Sequence, residues 1–469
     1  MQTQCTQSEF EFSKQFRRRV TARFDGGRIS SDGGAVLLRE VDRRLGLFAR
    51  LAKCFRDRRD PERIEHSVRE LVSQRVYALA LGYEDLNDHD ELRHDPLLAL
   101  LAGKPDPAGA KRKRKQDRGK ALAGKSTLHR LERTTDGADR HKKVACDFAA
   151  VDELLVDFYL EAHHQPPQKI ILDLDVTDTP LYGGQEGRFF HGYYRGYCYL
   201  PLYIFAGEHL LCARQRTANQ DAAAGSLQEV ERIVQRLRAR WPEVRIILRA
   251  DSGFCRDELM VWCEDNAVDY VLGLARNERL RALIAEALAE AAAELAATGK
   301  AARRFTEFSY QTRQSWSCAR RVVAKAEQLA GKENPRYVAT SLAAQNHPAQ
   351  QLYEELYCAR GEMENRIKEQ LSLFADRMST QTLRANQLRL YFSALAYTLV
   401  LGLRRLGLSG TAWARMQTET LRRRLFKIGA RVRVTARRAW LSMAESWPWR
   451  ALFETVWRKL CAGPSAAMA

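Results

Sequence analysis

Lys169-Ile-Ile-Leu-Asp-Leu-Asp-Val-Thr177 is the stretch on which the fold turns. It is a short run of apolar, β-branched residues, too brief for a core helix, and it reads as a buried strand. Side chains alternate across a strand, so Asp173 and Asp175 share one face while Leu172 and Leu174 point the other way. Two carboxylates on one face of a buried strand are costly unless they are paired, protonated or metal-bound.

The neighbouring segments extend the pattern. Residues 197–205 and 209–214 read as two further strands, joined by the turn Ala206-Gly207-Glu208. Ser226 and Glu229 have capping-box spacing, and Leu227, Val230, Ile233, Val234 and Leu237 mark one face of a helix that ends by Pro242. Residues 244–250 form the next strand, with Asp251 at its C-terminal end, the edge of an α/β sheet where ligands collect. A helix over 256–266 and a strand over 268–274 follow. The order β-β-β-α-β-α-β predicts an α/β layer architecture. An alanine-rich helix (279–297) stops at Gly299. Strand-like stretches at 305–312, 320–326 and 336–342 then read as an inserted β-rich module. Helix resumes over 351–376, and an apolar helix covers 388–403.

On the first of these two helices, Tyr357, Arg360, Glu364 and Lys368 are spaced i, i+3, i+7 and i+11, which lines them along one helical face. Solvated i,i+4 salt bridging accounts for any one such pair. It accounts less well for Tyr357 on the same face. Carboxylates converging from strand ends and a helix make a hard, oxygen-rich site that suits Mg²⁺ or Mn²⁺ rather than zinc. Two such ions stabilise both oxygens of an in-line phosphoryl displacement.

Composition supports a polyanionic partner. The 469 residues carry 76 Lys and Arg against 58 Asp and Glu, a formal net charge of +18. Neutralising phosphates supplies affinity independent of sequence, so nucleic acid leads. A hydrophobic fraction of 45% excludes wholesale disorder. The apolar run 390–403 is too short to span a bilayer, and the first nineteen residues lack the apolar core of a signal peptide. Ten scattered cysteines form no C-x-x-C pair, which argues against a zinc ribbon or a disulfide framework and for a reducing cytosol.

The flanks read as basic. Residues 1–160 look mostly helical. Ser30-Ser31-Asp32 gives an N-cap signal ahead of Ala35-Val36-Leu37-Leu38, and a helix is expected over 68–81. Lys111-Arg112-Lys113-Arg114-Lys115 reads equally as a solvated, mobile loop or as a contact to the DNA backbone. Gly119-Lys-Ala-Leu-Ala-Gly-Lys-Ser126 matches a phosphate-binding loop in every position, but the basic residues before it cannot form the buried strand such a loop needs. Near the C-terminus, Arg422, Arg423, Arg424, Lys427, Arg431, Arg433, Arg437 and Arg438 cluster, and Val432 and Val434 alternate with two of them as in a strand with one charged face.

Several ordered motifs resemble the DDE transposases of bacterial insertion sequences. They are Asp173-Leu-Asp-Val-Thr-Asp-Thr-Pro-Leu-Tyr-Gly-Gly-Gln-Glu-Gly, Phe190-His-Gly-Tyr-Tyr, Tyr197-Cys-Tyr-Leu-Pro-Leu, Arg249-Ala-Asp-Ser-Gly-Phe254 and Tyr357-Cys-Ala-Arg-Gly-Glu-Met-Glu-Asn-Arg-Ile-Lys-Glu369. Arg23-Phe-Asp-Gly-Gly-Arg-Ile-Ser near the start and Lys427-Ile-Gly-Ala-Arg-Val-Arg-Val near the end extend the likeness over nearly the whole chain. The insertion sequence 1380 family, within the broader insertion sequence 4 group, is the nearest match.

The resemblance implies an RNase H-like catalytic core with a β-rich insertion, flanked by a mostly helical N-terminal DNA-binding region and a basic C-terminal region. The corresponding divisions are 1–160 (binding the DNA ends), 165–300, 301–345 (the insertion), 346–405 and 406–469. It implies cut-and-paste transposition: end cleavage, then attack of the freed 3′-OH on target DNA, with two Mg²⁺ or Mn²⁺ ions. Asp175, in the D-x-T element with Thr177, Asp251 and Glu364 are the implied catalytic and metal-holding acids, with Asp173 in reserve. Their spacings are 251 − 175 = 76 and 364 − 251 = 113 residues. The group's Y-x2-R-x3-E-x6-K signature is met at Tyr357, Arg360 and Glu364. Its lysine position holds Leu371, and Lys368 is the candidate substitute. DNA contacts are expected from Tyr357, Arg360, Lys368, the block Lys111, Arg112, Lys113, Arg114 and Lys115, and Arg431 and Arg433. Double-stranded DNA (terminal inverted repeats and target), a homodimer holding two ends, no membrane and a cytoplasmic, nucleoid-associated location complete the expectation. The aromatic and basic residues Arg188, Phe189, Phe190, His191, Tyr193, Tyr194 and Arg195 either pack the sheet, the favoured reading, or stack on unpaired bases. A metal-dependent nuclease without strand transfer and a catalytically inactive DNA-binding relative are the alternatives.

Overall fold

The computed structural model describes residues 9–135, 137 and 142–461. The chain divides into two compact units. One is the continuous segment 147–394. The other combines both ends of the chain, up to residue 146 and from residue 395.

The continuous unit is organised by a nine-stranded mixed sheet. Its strands are β1 (Lys169–Val176), β2 (Leu202–Ala206), β3 (His209–Arg214), β4 (Arg245–Ala250), β5 (Asp269–Leu274), β6 (Ala302–Tyr310), β7 (Arg320–Leu329), β8 (Lys332–Glu333) and β9 (Arg336–Thr340). The spatial order is β3-β2-β1-β4-β5-β9-β7-β6, with β8 paired to β7. β1, β4 and β5 run parallel; β2 is antiparallel to β1, and β9 to β5.

Alternation along the central strands separates two environments. Ile170, Leu172 and Leu174 of β1 and Ile246, Leu248 and Ala250 of β4 face one core, which helices Phe148–Glu161, Ser226–Arg240, Asp257–Asp265 and Ala285–Thr298 cover. The other face carries Ile247 and Val271, and Leu352, Tyr353 and Leu356 pack against it. Asp173 and Asp175 lie on this second face with Ile171.

Several expectations are revised. The three strands after residue 301 do not form a separate module: β9 pairs with β5, and β7 and β6 continue the sheet. Val322 and Ala324 enter the helix-covered core and Val323 the opposite one. Strands apolar on both faces must be sandwiched, which favours extending an existing sheet. The expected strand 197–205 breaks at Pro201, which has no N–H to give a ladder. Gly196–Tyr199 instead joins Thr179–Pro180 and Phe189–His191 in a small sheet. The capping box at Ser226 does not form. Gly225, at φ +74°, occupies the cap; the Ser226 hydroxyl donates to the Ala223 carbonyl, and Glu229 accepts from Arg214 and Arg232.

In the other unit, helix Val68–Leu81 starts with a complete capping box from Ser67 and Glu70. Residues 29–30 and 430–434, about four hundred positions apart, pair directly: Ser30↔Ala430 and Ile29↔Arg431, with Ala439–Met443 on the far side of the second strand. Gly34 makes this approach possible, because a Cβ there would lie 1.7 Å from the Leu425 carbonyl oxygen. Asp32 does not cap the following helix; its carboxylate accepts from the Tyr83 hydroxyl and pairs with Lys427. The Gly119–Ser126 match is no phosphate loop. A 3₁₀ turn, Lys115–Asp117, leads into it in place of a strand, and the Asp90 carboxylate accepts from the Lys125 N–H at the start of helix Lys125–Glu132. Among the described residues no helix is long and apolar enough to cross a membrane, and the described cysteines carry free thiols.

Candidate active site

The parallel pair β1–β4 builds the site through its register. Arg249 lies level with Asp173, and Ala250 with Leu174. The register offset is 76, the sequence spacing of Asp175 and Asp251, and Asp251 directly follows β4, where its charge acts on the Asp175 carboxyl. Level residues of parallel strands share a face, which makes Asp173 and Arg249 an inner rung; Asp175 and Asp251, at the strand ends, form the outer one.

The inner rung neutralises itself. Arg249 Nε donates to Asp173 Oδ1 at 2.5 Å and Nη2 to Oδ2 at 2.8 Å. Its third arm, Nη1, donates to the Leu356 carbonyl at 2.5 Å and ties the strand to the overlying helical segment. All of this is buried. Asp173 is thus consumed by a bidentate pair, which separates it from Asp175 in a way the shared face could not. Arg249 was not among the expected site residues, although its place two residues before Asp251 on an apolar strand was visible.

The outer rung places like charges side by side. Burial, with the neighbouring Asp251, pushes the Asp175 carboxyl up to about 6 against the opposing pull of Arg360 and the Val176 N–H. Val176 N donates to Asp175 Oδ1 at 2.9 Å, and Arg360 Nη1 donates to Oδ2 at 2.9 Å. Asp251 caps the short turn Ser252–Phe254 through the Gly253 N–H at 2.8 Å. Burial works against the charge of Arg360, and Asp175 first, then Tyr357, Asp251 and Glu364, together outweigh it.

The segment bearing the signature is not one regular helix. Leu352–Tyr357 forms a π-helical turn, Cys358–Arg360 a 3₁₀ turn, and Gly361–Ser372 an α-helix. Inserted π turns are frequent at functional sites. Here the irregularity falls between Tyr357 and Arg360, so a uniform helical wheel does not describe the face they share. Tyr357 comes down on Gly273 of β5: a Cβ at Gly273 would lie 2.5 Å from the Tyr357 hydroxyl and 2.9 Å from the Ser252 nitrogen. Glycine inside a strand signals such an approach, and that cue was available in the sequence. Burial raises the Tyr357 hydroxyl pKa.

Glu364 and Lys368 are exposed on the α-helical part. Among the described residues, no three His, Cys, Asp or Glu side chains come together as a ready metal cage. The Asp175–Asp251 pair nevertheless fits a hard divalent cation. It offers carboxylate oxygens on adjacent strand ends, and a guanidinium already serves one of them as a counter-charge.

Of the other expected DNA contacts, Lys111, Lys113, Arg114 and Lys115 are exposed. Arg112 is not a free cation of a mobile loop. It pairs with Glu65 at 3.1 Å and donates to His66 Nε2 at 2.7 Å, and burial with nearby Lys104 and Arg112 lowers the His66 pKa to about 3. Arg431 and Arg433 are exposed on strand Ala430–Val434 while Ala430 and Val432 are buried, the alternation expected. Arg433 lies over the Trp440 ring at 4.4 Å. Within the aromatic stretch, Phe189, Phe190 and Tyr193 are exposed, against the favoured reading that they pack; Tyr194 packs against the small cluster of Cys198, Leu200 and Ala218.

The chain matches the family described as transposase DDE domain group 1 over residues 12–464, and it belongs to that family. It is accordingly a DDE-type transposase, an enzyme class that cuts DNA and transfers strands. Among solved structures it is similar to a piggyBac transposase synaptic complex with hairpin DNA. The identity is 10% and the TM-score 0.41, covering 94% of this chain and 84% of that one. No curated protein sequence matches it.

Proposed function

We propose that this chain is a cut-and-paste transposase of a bacterial insertion sequence, of the insertion sequence 1380 family within the insertion sequence 4 group. Its catalytic core is RNase H-like, which the strand order β3-β2-β1-β4-β5 with a parallel β1-β4-β5 set supports. The observation that carries the reading is the pair of interacting carboxylates at the ends of β1 and β4, Asp175 and Asp251, with the signature arginine bonded to one of them. Asp175 and Asp251 hold the divalent metal, Mg²⁺ or Mn²⁺ as two ions, and Glu364 is the third acid. When bound, the metal supplies the positive charge that an in-line displacement at phosphorus requires. Asp173 serves the fold through Arg249.

Arg360 and Lys368 bind backbone phosphates beside the carboxylates, and Tyr357 holds the helical segment against β5. Lys111, Lys113, Arg114, Lys115, Arg431 and Arg433 hold duplex DNA, first the terminal inverted repeats and then the target. The enzyme works as a homodimer on two ends, in the bacterial cytoplasm at the nucleoid.

The test uses purified protein, Mg²⁺ and DNA bearing the element's terminal inverted repeats. Excision followed by joining to a target is expected. Cutting without joining would make the protein a nuclease, and binding alone an inactive relative.

A further inference from the structure

Phe10–Gln15 and Arg18–Ala22 form a two-stranded antiparallel ribbon that, among the described residues, pairs with no other strand. Every residue from Glu9 to Ile29 is exposed. A lone two-stranded ribbon is marginal in water, so its chemistry should show what it rests on.

That chemistry is sorted by face and by position. The pairs Phe10↔Ala22 and Phe12↔Val20 put apolar side chains on one face, and Glu11↔Thr21 lies on the other. The two acids sit at the base, where Glu9 pairs with Arg23. Lys14, Arg17, Arg18 and Arg19 crowd the tip, which holds no acid; among the described residues none of the four forms an ion pair with a carboxylate. Phe16 stands at the turn itself, at φ +55° and 92% exposed.

Four uncompensated cations at one tip select a polyanion rather than another basic chain. A two-stranded ribbon also has the cross-section that the major groove of B-DNA admits, and ribbon readers dock in this way. We propose that residues 9–24 are a DNA-docking ribbon that enters a groove of duplex DNA. Its tip cations meet phosphates, and Phe12 and Val20 meet the apolar edges of bases and sugars. This rests on the DNA-acting reading above and adds an anchoring element outside the carboxylate site. A second copy of the chain is the competing occupant; it would cover the phenylalanines but leave the tip charges uncompensated.

The experiment measures binding of the full chain to a labelled mixed-sequence DNA duplex across a salt series, for the parent and for Arg17→Ser/Arg18→Ser/Arg19→Ser. Three lost phosphate contacts should lower the log–log salt slope by about 2.7 and weaken binding at low salt by about tenfold or more. An unchanged slope overturns the proposal. So does an unchanged slope with loss of self-association in sedimentation, which would make the ribbon an interface between copies. A second measurement needs no variant: duplex should slow tryptic cleavage of the parent at Arg17–Arg19, and unslowed cleavage of the DNA-bound protein overturns the proposal. If the parent binds no duplex at all, the DNA-acting reading itself falls, a result distinct from either of these.

Discussion

The two rungs of the β1–β4 pair are built from the same strands, on the same face, two residues apart, yet they are electrostatic opposites. Asp173 meets an arginine and Asp175 meets an aspartate. The inner rung closes on itself and fastens the overlying segment at Leu356. The outer rung stays short of positive charge and draws Arg360 from that segment. A self-satisfied buried pair serves the fold, whereas a like-charged pair needs a cation from elsewhere, and that need is what makes it a site.

The largest effect that would sharpen this contrast is on chemistry. Asp175→Ala or Asp251→Ala should lower cleavage of terminal-repeat DNA by about a thousandfold or more, since the ligands for a charge worth several kcal/mol are lost. Binding of the ends, measured by mobility shift, should persist. Near-normal cleavage by either variant would dissolve the functional half of the comparison.

The inner rung should answer in stability instead. Arg249→Met leaves Asp173 buried without its partner and should cost the continuous unit about 3 kcal/mol, read in urea unfolding. Adding Asp173→Asn to that variant should recover part of the loss. If Arg249→Met unfolds like the parent, the inner rung is not the fastening described.

The outer rung should also show itself through pH. The folded-state pKa of Asp175, about 6, lies above its ordinary value of 3.8. Its protonated form therefore favours the folded state below pH 3.8, and that contribution is lost as pH rises through 6. Asp175→Asn mimics the protonated group. Its stability relative to the parent should rise between about pH 4 and about pH 7, by at most about 3 kcal/mol. A pH-independent difference in melting temperature would contradict the raised carboxyl pKa, which burial chiefly produces and Asp251 adds to.

The smallest effect belongs to the exposed helix beside the rungs. Lys368→Ala should lower the salt slope of end binding by about one and leave melting unchanged. An unchanged slope would remove Lys368 from the DNA contacts.

Much of this was legible in the residues. The alternation in 169–177 identified β1 and put both aspartates on one face. The strand ending just before Asp251 and the order of the large sheet's strands and helices through residue 274 followed from local pattern. The π turn was not legible, because the spacing of Tyr357 and Arg360 fits a regular helix equally well. Nor was the fate of the strands after residue 301, since their apolar faces show that they are covered without showing by what.

By itself, then, the sequence determined most strands of the large sheet, which faces carry charge and that a basic chain holds a small acidic set. Those are local properties, set by side-chain alternation and charge. Only the tertiary structure decided between Asp173 and Asp175, tied Arg112 to Glu65 and His66, and joined residues 29–30 to 430–434. Each of these depends on which partner lies across a strand pair or a close backbone approach, and no local pattern along the chain encodes a register between segments 76 or 400 residues apart.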